Sequence, residues 1–309
     1  METAGDCITP ALLARVERAL GQPVTILKVI RRGYTPALRL RVRLQNGNTV
    51  FIKYATTSLT AEWLRQEYFV YTHLDAPFMC CLIAWEDEEE FPFLVLEDLS
   101  DEDWPPPWTE HKIGLVREML ERLAGYTLPG LLPLEDDPSL TDGWKEVAED
   151  PKAFLGLEIA SPGWLERALP ALLAVDGKQV LRGEALTHTD VRSDNLCFQR
   201  ERVVLIDWNW TRRGHPSADL AFWLASLESE GGPAPDSLLP EGGPFAVLVS
   251  GYLAARAGLP IIPDAPLVRK VQLEQLYSAL PWAVRALGLP PLDGPHFIKF
   301  IRQKIKNEG

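Results

Sequence analysis

Asp190, Asn195 and Asp207 are the residues of this 309-residue chain whose types and spacing could do chemistry together. They lie in His188-Thr-Asp-Val-Arg-Ser-Asp-Asn195, which runs on through Leu-Cys-Phe-Gln-Arg-Glu-Arg-Val-Val-Leu-Ile to Asp207-Trp208. Leu196 to Phe198 and Val203 to Ile206 are short apolar runs separated by polar Gln199 to Arg202, the pattern of a β-hairpin with a four-residue loop. Antiparallel pairing of Phe198 with Val203 sets Asn195 opposite Ile206, so Asp207 should emerge about 5 Å from Asn195 across the ladder. An amide oxygen and a carboxylate so placed suit a hard cation that keeps part of its water shell, magnesium held together with phosphate rather than zinc or copper. Asp190, on the loop leading in, is positioned to accept a proton from a substrate hydroxyl or to orient it.

With Asp219-Leu-Ala following Ile206-Asp207-Trp208, the set H-x-D-x-x-x-x-N, I-D-W and D-L-A resembles the signature of the aminoglycoside phosphotransferase family, small-molecule kinases that share the protein-kinase fold. The resemblance implies an α+β, two-lobed, protein-kinase-like architecture. A small lobe, residues 1–98, would carry an antiparallel sheet and one main helix. A larger, mostly helical lobe, residues 99–309, would carry the catalytic loop, metal site and acceptor pocket. It also implies that Asp190 is the catalytic base, that Asn195 and Asp207 bind magnesium, and that His188 and Asp219 support the loop. ATP is the implied donor, with GTP open, and the implied activity is transfer of the γ-phosphoryl group to a small-molecule hydroxyl, on an antibiotic or a metabolite. A catalytically silent nucleotide-binding module and a kinase acting on a protein are the competing readings.

The elements that must position these residues follow in order. Leu12, Leu13, Val16, Ala19 and Leu20 recur at helical spacing and end at Gly21, giving a helix over 11–20. Residues 24–30 read as a strand, 31–36 as a turn, and 37–44 as a strand in which leucines and Val42 alternate with Arg39, Arg41 and Arg43, one face buried and one wet. Asn46-Gly47 signals a hairpin into a third strand, 48–55. Backbone amides at Gly33 would lie over nucleotide phosphates, although a single glycine there also fits a plain turn. Lys53 on the third strand would reach the non-transferred phosphates. In the helix expected over 60–74, Glu67 shares a face with Trp63, Val70 and Leu74, and a carboxylate on an apolar stripe is best explained by an ion pair with Lys53. Glu62 is the alternative partner. Strands at 81–85 and 92–96 flank an acidic tip, and adenine would be read by the carbonyl of Glu97 and the amide of Leu99.

Downstream, a stiff Pro-rich connector at 101–108 leads to an amphipathic helix over 109–126, which closes on Tyr126 where the family usually has a histidine. Helical patterns follow at 144–157, 164–173 and 268–287, the last interrupted at Pro281, with a short basic helix at 297–306. Residues 131–180 and the helices after Phe222 should form the acceptor pocket. Arg192, Arg212 and Arg213 beside the motif argue against a polycationic acceptor, or bind phosphate, or pair with Asp194 and neighbouring acids. Only eleven residues, Trp208 to Ala218, separate Asp207 from Asp219, too few for a peptide platform, so a small acceptor is favoured.

Composition sets outer bounds: 46% hydrophobic and 24% charged residues are ordinary for a globular chain. A net charge of −12 speaks against a nucleic-acid partner, and no run approaches the apolar length of a membrane span. The four cysteines, Cys7, Cys80, Cys81 and Cys197, have neither disulfide nor metal spacing, which with the absence of a signal-peptide pattern reads as a cytoplasmic protein with reduced thiols.

Overall fold

The computed structural model describes residues 8–30, 35–88, 91–263 and 265–300. In chain order the elements begin α1 (Pro10–Leu20), β1 (Val24–Val29), β2 (Leu38–Leu44), β3 (Thr49–Tyr54), α2 (Ser58–His73), β4 (Leu82–Glu86), β5 (Phe93–Glu97) and α3 (Glu110–Leu123). Next come α4 (Pro138–Thr141), α5 (Gly143–Glu149), α6 (Lys152–Leu155), α7 (Pro162–Leu173), α8 (Gly177–Leu181), β6 (Ala185–Thr187), β7 (Leu196–Gln199) and β8 (Arg202–Leu205). The series ends with β9 (Arg212–Gly214), α9 (Ala218–Ser229), α10 (Pro235–Leu238), α11 (Gly243–Ala257) and α12 (Val268–Leu287). The class is α+β.

Two compact units emerge from the packing: Met1–Pro105 with Ser193–Thr211, and Pro106–Arg192 with Arg212–Gly309. The β7–β8 hairpin, expected with residues 99–309, packs in the first unit. Its backbone bonds explain why, since Leu205 N donates to Phe78 O at 2.9 Å and Phe198 N to Asp103 O at 2.9 Å, both partners in the first unit.

The first unit is built on a five-stranded antiparallel sheet in the order β1-β2-β3-β5-β4, the antiparallel sheet expected of a small lobe. Period-two alternation gives the sheet two faces. Leu40, Val42, Ile52, Phe93 and Val95 pack with Leu12 and Val16 of α1, whereas Leu94 and Leu96 pack with Ala61 and Leu64 of α2 and with Cys197 and Val204 of the hairpin. Helix α1 starts where Thr9 Oγ1 accepts from Leu12 N, with Pro10 in the first turn, and stops at Gly21 in the left-handed region, φ 66°. Helix α2 opens on a reciprocal cap between Thr57 and Thr60. Arg15, buried in α1, is tied to Glu86 and to the carbonyl of Phe91. The arginine face of β2 is only partly wet: Arg43 is exposed, but Arg39 is 9% exposed and Arg41 reaches Asp98.

The second unit is mostly helical. Helix α3 turns Ile113, Val116, Leu120 and Leu123 inward, as its periodicity requires. The pattern at 144–157 is not one helix, because Pro151 has no amide to donate and α5 stops at Glu149. Helix α12, by contrast, runs unbroken through Pro281, correcting the expected interruption; the buried Leu276, Leu280 and Trp282 hold its core side in place. Helices α5 and α11 approach so closely that a Cβ at Gly143 would lie 2.3 Å from the Gly251 carbonyl carbon. A small sheet of β6 and β9, which the sequence reading did not anticipate, pairs Leu186 with Arg213. It too needs a glycine, since a Cβ at Gly183 would sit 2.2 Å from the Gly214 oxygen. Residues 295–300 are helical, and the rest of the expected basic tail lies outside the described residues.

Candidate active site

The first unit assembles a buried charge cluster around Lys53. Antiparallel pairing puts Lys53 on the β3 face toward α2, where its Nζ donates to Glu67 Oε2 at 2.7 Å and to Asp207 Oδ1 at 2.5 Å. Glu67 is 1% exposed and Lys53 6%, so each charge depends on the other. Glu62 is exposed and is not the partner. Burial presses the Lys53 ammonium down, but Asp207 and Glu67 outweigh it and hold the group above its ordinary range, charged. Burial lifts Glu67 above the usual carboxylate range, with Lys53 opposing and Asp207 adding.

The hairpin delivers Asp207 to this cluster. Its register is Leu196 with Leu205, Cys197 with Val204 and Phe198 with Val203, and Ile206 N donates to Asn195 O at 3.0 Å, so Asn195 faces Ile206 as the apolar pattern required. Its loop is two residues long rather than four, because Gln199 and Arg202 also pair, with Arg202 Nε anchored on Pro77 O at 2.6 Å and Arg200 at φ 58°. Asp207 adopts the left-handed conformation, φ 68° and ψ 55°, which turns the chain sharply into the 3₁₀ turn Trp208–Trp210. That turn packs on α2, with the rings of Trp63 and Trp210 5.5 Å apart. Asn209 was not singled out from sequence. With its amide oriented to satisfy both ends, it donates to Asp207 Oδ1 and O at 3.0 Å and accepts from Trp210 Nε1.

The donor set fits magnesium held together with phosphate. Asn195 and Asp207 offer an amide and a carboxylate oxygen from facing ends of one hairpin, hard ligands suited to an ion that keeps several waters. Among the described residues no group of three or more His, Cys, Asp or Glu side chains is arranged to hold a metal.

The second unit carries the loop with Asp190. Asp219, 4% exposed at the start of α9, accepts Thr189 N at 2.6 Å on Oδ1 and His188 N at 2.7 Å on Oδ2. One carboxylate thus clamps two successive amides and fixes Thr189 in the left-handed region, φ 68°. Burial raises the Asp219 carboxyl, offset by His188 and by those two amides. His188 is fully buried, and its Nδ1 accepts from Asp190 N at 3.3 Å. The small sheet backs this loop, with Leu186 N donating to Tyr126 O at 3.0 Å and Thr187 Oγ1 to Arg212 O at 3.0 Å.

The three arginines are accounted for by neighbouring acids. Arg192 Nε lies 3.0 Å from Asp190 Oδ1, Arg213 is 2.5 Å from Glu184, and Arg212 is 3.9 Å from Asp137. Of the expected nucleotide contacts, Glu97 spends its side chain on Cys81 N at 2.8 Å, Leu99 O accepts from Trp104 Nε1, and Gly33 lies outside the described residues.

The family model described as "Phosphotransferase enzyme family" matches residues 26–246. The chain belongs to that family and is a small-molecule kinase. Comparison with curated proteins gave no match. Among solved structures it is similar to a macrolide 2'-phosphotransferase type I, 16% identical with a TM-score of 0.48 over 93% of this chain and 99% of that one. It is also similar to the apoenzyme of macrolide 2'-phosphotransferase MphH from Brachybacterium faecium, 18% identical with a TM-score of 0.47 over 90% and 92%. A third is the amicoumacin kinase hAmiN in complex with AMP-PNP, Ca2+ and Ami, 12% identical with a TM-score of 0.46 over 91% and 92%. Among the described residues no helix is long and apolar enough to cross a membrane.

Proposed function

We propose that the protein transfers the γ-phosphoryl group of ATP to a hydroxyl of a small antibiotic or metabolite, with magnesium as cofactor. The observation that carries this reading is the Lys53–Glu67–Asp207 cluster: a buried ammonium held between two acids, one of them at the end of a hairpin with Asn195. Lys53 is fixed and charged, suited to the non-transferred phosphates. Asn195 and Asp207 would hold the magnesium ion, which supplies neutralisation of charge on the phosphate oxygens. Asp190 orients the acceptor hydroxyl and takes its proton, while Arg192 steadies the Asp190 side chain and the Asp219 clamp steadies its backbone. Gly33, Glu97 and Leu99 complete the nucleotide contacts through their backbone, a mode of readout that GTP would satisfy as well. Residues 131–180 and the later helices supply the acceptor pocket.

The test is a screen of sugars, antibiotics and other hydroxyl compounds for acceptor-dependent ADP release, repeated with Asp190→Ala. Turnover should fall about 10²- to 10⁴-fold. Undiminished turnover in the variant would remove Asp190 from the mechanism, and nucleotide binding with no acceptor-dependent release would leave a binding module instead.

A further inference from the structure

Arg39 of β2 stands directly across from Lys53 of β3 in the strand register. Both side chains are buried on the same face of the sheet, and like charges facing each other across a ladder repel. Lys53 has taken the two nearby carboxylates, Glu67 and Asp207. The hydrogen bonds of Arg39 all end on neutral oxygens: Nη1 donates to Ala37 O at 2.9 Å and Thr35 O at 3.1 Å, and Nη2 to Thr35 Oγ1 at 2.5 Å. Among the described residues no acid pairs with Arg39. A buried guanidinium without a counter-ion, beside a second buried cation, is a costly arrangement for a protein that binds nothing there.

We infer that Arg39 is a polyphosphate-contacting residue, the second cation of an anion site shared with Lys53. This rests on the nucleotide reading above and adds a contact to it. With Glu67 balancing one of the two cations and Asp207 assigned to a metal in the nucleotide reading, one positive charge is left to be met by an anion, which in that reading is a phosphate of the nucleotide. The three bonds to residues 35 and 37 fix the direction of the guanidinium fork. They also tie residues 35 and 37 to the strand beside Lys53. A planar fork so fixed can meet phosphate oxygens in a bidentate manner that a lysine cannot reproduce.

The experiment is calorimetry of the full chain with magnesium-ATP, magnesium-ADP and adenosine. Wild type is compared with Arg39→Gln and Arg39→Lys. The expected result is a loss of ATP affinity of at least about tenfold in Arg39→Gln with adenosine affinity unchanged, and a smaller loss of the same selective kind in Arg39→Lys. The ratio of ATP to adenosine affinity is the deciding quantity, because a residue that only staples the 35–37 turn would weaken both ligands together or neither. An unchanged ratio in both variants overturns the inference. Should Arg39→Gln fail to fold, the ratio in Arg39→Lys decides alone. Wild-type protein that binds no nucleotide would defeat the nucleotide reading and this one with it, whereas wild-type binding with an unchanged ratio defeats this one only.

Discussion

The two units hold their functional carboxylates by different physical means. In the first, Glu67 and Asp207 are held by an opposite charge, the Lys53 ammonium. In the second, Asp219 is held by neutral backbone, the amides of His188 and Thr189. Charge-to-charge pairing can be loosened whenever a competing ion arrives, so under the proposed function Asp207 would pass from lysine to a metal. Amide-to-carboxylate bonding fixes a backbone shape and has no such second partner. The first unit is thus equipped to exchange ligands, and the second to keep a loop in one conformation.

The sharpest way to break this comparison is Lys53→Ala. It strands the buried Glu67 charge, and stability measured by urea denaturation should fall by about 3–5 kcal/mol. Pairing Lys53→Met with Glu67→Leu should restore most of that loss, since apolar replacement of a buried ion pair is close to neutral, while nucleotide binding stays absent. Next in size is Asp219→Ala, which leaves two buried amides without an acceptor and should cost about 2–3 kcal/mol. Asp219→Asn, which keeps one acceptor, should cost less. If Asp219→Asn were as damaging as Ala, charge rather than amide geometry would be what matters there, and the contrast between the units would collapse.

The smallest effect concerns His215, also in the second unit. Its Nδ1 accepts from Ser217 N at 3.1 Å and its ring packs against Phe245, and burial lowers its pKa. The neutral ring is therefore favoured in the folded state. Its contribution is complete above the ordinary histidine range and is lost as pH falls below about 6.5 toward the lower folded value. Melting temperatures from pH 8 to pH 5 should fall slightly more steeply for wild type than for His215→Asn. Parallel curves would remove His215 from the acid response.

The hairpin was legible in the sequence because only one register buries Leu196, Phe198, Val203 and Leu205 together, and that register alone brings Asn195 to Ile206. The Lys53–Glu67 pair was legible because a carboxylate on an apolar helix face requires a cation. What was not legible depends on contacts far apart in the chain. The β6–β9 sheet has three-residue strands with Arg212 and Arg213 among them, too short and polar to show alternation. Arg39 looked like one of three wet arginines, since nothing local distinguishes it from Arg43; only the sheet register puts it across from Lys53. The loop length escaped for the same reason, since Arg202 is anchored on Pro77, whereas Asn209 bonds to its chain neighbours Asp207 and Trp210 and escaped because the 3₁₀ turn that brings them together leaves no periodic pattern.

The eleven residues between Asp207 and Asp219 are fully used by a 3₁₀ turn, the β9 strand and the entry to α9. Thr211 in their midst is 3% exposed, with its hydroxyl donating to Trp208 O at 2.7 Å. A modifying enzyme would find no accessible tail to mark on this stretch and no slack that a mark could rearrange.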